Sequence, residues 1–253
     1  MSTFLKYVES DIAFEVNSGD FITFYGEKNR DIVNNLMFNN NNNFVYVEEE
    51  AISKKNVDIL RNSVRFVSID YIDIFNSETI MDELAFPLEN LAIDKKSMKE
   101  RVESVSLRFN FKKINTTSPS SLDISTKAML GIASALITEP KVLVLDNVLC
   151  LLDNDDKCLI REILKNYVSE GNMVINFTND IEEALLGNKV IVCSKEKVLI
   201  SGETISVLNE EKIMKRLGYS LPFKVLLSKY LKDYQLIDRY YLDYKDLGGA
   251  LWK

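Results

Sequence analysis

The chain has 253 residues, 46% hydrophobic and 27% charged, which fits one globular domain with a full core, or one domain with a small appendage, and excludes global disorder. Its 38 Asp and Glu against 31 Lys and Arg give a formal net charge of -7, which argues against nucleic-acid binding by phosphate neutralisation. Histidine is absent, so Ser-His and Cys-His hydrolases are ruled out and the commonest metal ligand is missing.

In chain order, Ile12 to Val16 and Phe21 to Phe24 read as two extended stretches around the turn Asn17-Ser18-Gly19-Asp20, and a hairpin is expected. Tyr25-Gly26 then leads through the polar loop Glu27 to Asp31 into Ile32-Val33 and Leu36-Met37-Phe38 at helical spacing, a strand, loop and helix unit. Asn39 to Asn43 is an asparagine run, read as an exposed loop. Val64 to Ile69 is a strand, and Thr79 to Leu91 a helical segment that Pro87 should interrupt, because proline lacks the backbone donor. Lys95 to Phe109 is an exposed amphipathic helix and Ser125 to Ile137 a helix of small residues.

Lys141 to Asp146 is an apolar run ending in a carboxylate, as in a parallel strand buried on both faces. A helix over Lys157 to Glu170, a buried strand over Met173 to Phe177 and a helix over Ile181 to Leu186 follow, and then a hairpin of Lys189 to Cys193 with Lys197 to Ile200. The sum is an α/β fold with a mixed sheet. Beyond Leu217, Tyr-rich and Leu-rich segments predict a small appended helical element. Its aromatic set, Tyr230, Tyr234, Tyr240, Tyr241, Tyr244 and Trp252, suits either a partner surface or packing on its own domain. Cys150, Cys158 and Cys193 lack CxxC spacing and read as buried thiols of a reducing compartment. With no 18-residue apolar run and no basic-then-apolar start, a cytoplasmic location is expected.

The order of these parts resembles the ATPase subunits of ATP-binding cassette transporters. VRFVSIDYIDIFNSETIMDELAFPLEN, Val64 to Asn90, lies without gaps on that family's segment from the strand before the Q-loop into the helical subdomain. SPSSLDISTKAMLGIASALITEPKVLVLDNVLCLLD, Ser118 to Asp153, lies equally on the signature motif, its helix, the Walker B strand and the D-loop. Glu83 to Leu91, Leu221-Pro222-Phe223 and Ala250-Leu251-Trp252 look like the energy-coupling factor branch, which drives vitamin and metal uptake. The resemblance implies an α/β cassette core, a mixed sheet with RecA-like parallel strands, over residues 1–216. It places a helical subdomain at about 78–135 and a C-terminal helical extension at 217–253.

The resemblance also implies ATP and Mg²⁺ as cofactors, but the motif positions depart from the pattern. The phosphate loop G-x-x-G-x-G-K-[ST] falls on Gly26, Glu27, Lys28, Asn29, Arg30, Asp31, Ile32 and Val33, so the lysine and the Mg²⁺ hydroxyl become Ile32 and Val33. The Q-loop glutamine falls on Ile69, the signature on Leu122-Asp123-Ile124-Ser125-Thr126, the general-base glutamate on Asn147 and the switch histidine on Asn179. An amide at 147 cannot take a proton from water. Asp146, the Walker B carboxylate, and Asp153 of the D-loop are retained, and Asp146 reads either as a Mg²⁺ ligand or as a structural carboxylate capped by nearby donors. Lys28 and Arg30 are candidate replacement cations, while Asp31, and Asp123 or Ser125, are suited to cap the helices that bind phosphate in active relatives.

The implied function is a non-hydrolysing subunit with weak or absent nucleotide binding. Its implied partners are a second cassette ATPase subunit and a transmembrane transporter subunit, on the cytoplasmic face of the membrane, with 78–91 as a docking element. A working ATPase with atypical motifs, and a stand-alone cassette module, are the alternatives.

Overall fold

The computed structural model describes residues 3–9, 12–26, 29–37, 43–193, 197–216, 218, 221–241 and 244–252. Among these residues the strands form two sheets. The first is antiparallel, in the order β2 (Ile12–Asn17), β1 (Thr3–Glu9), β4 (Val45–Val47) and β5 (Glu50–Ala51). The second has the order β10 (Val198–Glu203), β9 (Lys189–Cys193), β3 (Phe21–Gly26), β8 (Met173–Thr178), β7 (Val142–Asp146) and β6 (Val64–Ser68). All its pairings are parallel except that of β10 with β9, so the mixed α/β architecture expected from the pattern is present.

Alternation along the central strands sends their side chains into different cores. Val142 and Val144 of β7 and Met173, Ile175 and Phe177 of β8 face the antiparallel sheet and α1 (Asn29–Leu36), where they meet Leu5, Phe14, Phe24, Ile32 and Leu36. Leu143, Leu145 and Val174 point the other way, into a core with α3 (Ile80–Asn90), α4 (Lys95–Arg108), α5 (Ile124–Leu136) and α6 (Asn154–Ser169). The helix α2 (Val57–Ser63) runs straight into β6. A third cluster joins Tyr25, Val190 and Val192 to α7 (Ile181–Ala184), α8 (Thr204–Asn209), α9 (Glu211–Arg216) and α10 (Phe223–Asp233). The last helix is α11 (Tyr244–Leu251).

Three sequence expectations are corrected. The turn at 17–20 is real, with the Asn17 N–H donating to Asp20 Oδ2 at 2.8 Å, but it is a corner between sheets and not a hairpin: β2 pairs with β1, while β3 lies between β8 and β9. Helix α3 continues through Pro87, anchored at its start by Thr79, whose side chain accepts from the Asp82 N–H. The thiols are not all buried: Cys150 and Cys158 are exposed, the first on a 3-10 turn and the second on the outer side of α6, and only Cys193 is in the core. Of the asparagine run, 39–42 lie outside the described residues, and Asn43 is exposed as expected.

Two local features fix the helices beside the strand ends. Gly26 has φ +130°, and a Cβ there would stand 2.0 Å from the Cys193 carbonyl oxygen, so a parallel strand passes where a side chain would go. Asp123 caps α5, accepting from the Thr126 N–H and from the Thr126 hydroxyl, each at 2.9 Å. The Thr126 N–H holds the Asp123 carboxyl below the usual carboxylate range.

Gly26→Ala should therefore lower the unfolding free energy, read from urea curves, by more than the about 1–3 kcal/mol of backbone strain alone, because Cys193 must also move. Asp123→Ala should cost about 1 kcal/mol at pH 7. The carboxyl is depressed in the folded state, so its contribution is present above the unfolded value of about 3.9 and is lost as pH falls through the folded one. The gap between the urea curves of the two chains should accordingly narrow as pH is lowered below about 3.9.

Candidate functional site

The residues singled out by motif lie at the C-terminal ends of β3, β6, β7 and β8 and at the starts of α1 and α5, the edge of a parallel sheet where α/β proteins build their sites. Gly26 ends β3, and α1 begins at Asn29. Lys28 lies outside the described residues, as does Glu27. Asp31 is the third residue of α1 and is exposed, in the first turn and not at the cap as expected. Ile32 and Val33 are 0% and 4% exposed and belong to the core between the sheets, packed in the same cluster as Phe24, Phe177 and Cys193.

Arg30 is spoken for. Its guanidinium donates to Asp70 Oδ2 at 2.8 Å, an exposed ion pair that joins α1 to the 3-10 turn Ile69–Tyr71 after β6. Ile69 opens that turn half-exposed, one residue beyond the strand it was expected to end. The same segment is tied to α5 by Lys127, whose ammonium donates to Asp73 Oδ1 at 2.8 Å.

Asp146 sits at the end of β7 beside the end of β6, its register partner being Ser68. The Ser68 hydroxyl donates to its Oδ2 at 2.8 Å and the Asn147 amide to its Oδ1 at 3.1 Å, so both oxygens carry a neutral donor from the chain itself. Asn147 has φ 52°, a left-handed conformation that asparagine tolerates, and its N–H donates to the Phe177 carbonyl at 2.9 Å. Among the described residues no group of three or more Cys, Asp or Glu is arranged to hold a metal ion. Asn179 is exposed just past β8.

At the other candidate position Asp123, and not Ser125, is the cap of α5. Ser125 is buried one residue into the helix and bridges to α6 instead: its hydroxyl donates to Asp156 Oδ2 at 2.5 Å and accepts from the Asp153 N–H at 3.0 Å. Asp153 in turn caps α6, accepting from the Asp156 N–H at 2.9 Å. Nothing in the sequence pattern pointed to Asp70, Asp73 or Asp156 as partners. Ser68 alone carried a signal, as a polar residue at the end of a strand running parallel to β7.

No protein-family model matches the chain. It is 28% identical over 188 residues, 74% of this chain and 71% of the relative, to the energy-coupling factor transporter ATP-binding protein EcfA1 of Mycoplasmopsis synoviae. The protein of the same name from Streptococcus thermophilus is 25% identical over 256 aligned positions, covering 98% of this chain and 92% of that one. Among solved structures, CbiO1 of Clostridium perfringens, described as part of the ABC transporter complex CbiONQ, superposes with a TM-score of 0.72 at 22% identity, over 90% of this chain and 100% of that one. An ATP-binding subunit of an ABC transporter gives 0.68 at 12% identity, over 85% and 94%. In sequence and fold the chain is similar to ATP-binding cassette ATPases, and in sequence to those of the energy-coupling factor branch.

Proposed function

We propose that this chain is a non-hydrolysing member of its family, a structural or regulatory subunit of an energy-coupling-factor-type uptake transporter, held at the cytoplasmic face of the membrane by its partners. The observation that carries the reading is Ile32. The position where the family has its phosphate-binding lysine holds a fully buried aliphatic side chain that belongs to the core. The residues around it do not fit a magnesium nucleotide. Val33 offers no hydroxyl, Asp146 already has a donor on each oxygen, Arg30 is paired with Asp70, and Asp123 presents a carboxylate where the signature offers a hydroxyl. Charge-assisted hydrogen bonds are worth about 1.5–3 kcal/mol each, and every 1.4 kcal/mol is about tenfold in affinity, so losing several empties a micromolar site.

In this reading residues 1–216 supply the cassette domain, 78–135 its helical subdomain and 217–253 a helical extension. No helix among the described residues is long and apolar enough to cross a membrane, which suits a subunit attached through others. A groove of about 280 Å³ between β6, α3 and α5, edged by the exposed Tyr71 and Ile74 and by Pro87, is the place we assign to the transmembrane subunit. The resemblance supports that assignment, as does the membership of CbiO1 in a transporter complex. A second cassette subunit completes the proposed assembly.

Calorimetric titration of the purified chain with MgATP to about 10 mM, with a phosphate-release assay in parallel, tests the proposal. No saturation below about 1 mM and no release above the blank are expected, and saturable binding below that concentration overturns it. Ile32→Lys restores the family residue on paper, but here it puts an ammonium into an apolar core. It should cost about 3 kcal/mol or more of stability in urea unfolding and leave nucleotide affinity unchanged. Tyr71→Asp and Ile74→Asp, both on exposed positions, should leave the unfolding midpoint within about 0.5 kcal/mol and reduce recovery of the chain with the membrane fraction of its native cell.

A further inference from the structure

Beneath α7 the sheet face carries a buried polar patch in apolar surroundings. Thr23 of β3 and Asn176 of β8 are register partners on adjacent parallel strands, and neither has exposed surface. Glu183, on α7, is 5% exposed and meets this patch: the Asn176 amide nitrogen donates to its Oε2 at 3.4 Å, and the Thr178 side chain also hydrogen-bonds it. Among the described residues three buried atoms here have no hydrogen-bond partner: Thr23 Oγ1, Asn176 Oδ1 and Glu183 Oε1. The last two are acceptors, of an amide and of a carboxyl, and the Thr23 hydroxyl, which could donate, bonds to neither.

The surrounding charges do not make up the deficit. On the same segment Asp180 opposes ionisation of Glu183, and Glu182 is taken by Lys224 of α10 at 2.5 Å. From α6, Lys157 favours the charged form, and it lines an adjoining cavity of about 180 Å³ together with Cys158 and Arg161. Cys150 faces Glu183 from the turn before α6, and Tyr25 of β3 shares the apolar cluster of Ala184 and Leu185. Burial is the largest influence and raises the Glu183 carboxyl above the usual range.

We propose that Glu183 is carried as the neutral acid in the folded chain, its proton donated to the Asn176 side-chain oxygen, and that this bond is a pH-sensitive latch tying α7 to β8 behind Asn179 and Asp180. One proton removes the buried charge and replaces the long amide contact with a bond from the acid to the Asn176 oxygen. A half-turn of the Asn176 amide, which heavy-atom positions do not distinguish, presents its oxygen to Glu183. The folded chain then binds this proton more tightly than the unfolded one. The stabilisation is complete below the ordinary glutamate value of about 4.3 and is lost as pH rises through the raised folded value. The latch is independent of whether any nucleotide binds.

Carboxyl ¹³C NMR of the full chain labelled at glutamate, titrated from pH 4 to pH 8, tests it, with the Glu183 resonance identified by its absence in Glu183→Gln. A midpoint above the ordinary glutamate value of about 4.3 is expected; a midpoint at or below it overturns the proposal. Urea unfolding gives a second readout. Wild type should lose stability relative to Glu183→Gln as pH rises from 5 to 8, and parallel curves for the two chains would sink the latch. Should Glu183→Gln not fold, sequential assignment of the labelled wild-type chain still locates the resonance, and its midpoint decides.

Discussion

The seating of α1 on the six-stranded sheet is the constraint on which the candidate site depends. Ile32, Val33 and Leu36 fill the space between that sheet and the antiparallel one, against Phe24 and Phe177, and each such side chain fully buried is worth about 1.5–3 kcal/mol. Gly26 ends β3 where the backbone of β9 passes too close for any side chain. Residues 32 and 33 are thereby committed to packing. Both side chains serve the interior.

The polar groups along the same edge are satisfied from within the chain. Asp146 is held by Ser68 and Asn147, Arg30 by Asp70, Lys127 by Asp73, and Ser125 by Asp153 and Asp156. Exposed pairs such as Arg30 with Asp70 add little stability, about 0–1 kcal/mol. Their bearing is on geometry, since together they pin the segment after β6 between α1 and α5. Along this edge the chain's own side chains are paired with one another.

Much of the fold was legible because burial on two faces leaves a plain mark. Val142 to Leu145, and Met173 to Phe177 but for Asn176, are apolar without alternation, and both are central parallel strands. The same mark was present and misread at β3. Phe21 to Gly26 is buried throughout while Ile12 to Asn17 alternates, a difference that separates a central strand from one face of an antiparallel sheet. The turn between them fitted a hairpin equally well, because a tight turn dictates a change of direction and not the partner. Pro87 misled for a related reason: the lost backbone bond is local, whereas α3 is held by Ile80, Leu84 and Leu88 in the core.

The site was legible as a set of positions and not as a set of partnerships. Motif register could find Asp146, Asn147, Ile69 and Asp123, since each follows from spacing along one element. It could not find Asp70 for Arg30 or Asp156 for Ser125, 40 and 31 residues away, because those contacts exist only once β6 has crossed to β7 and α5 has packed on α6. Nor could it separate the two candidate caps, Asp123 and Ser125: either residue type caps a helix, and only the position of the first turn decides that Asp123 takes the Thr126 N–H while Ser125 is turned inward. The start of α5 thus has its Thr126 N–H satisfied by Asp123 from within the chain. The scaffold draws its stability from the apolar cores and from internal caps such as Asp123 on α5 and Asp153 on α6.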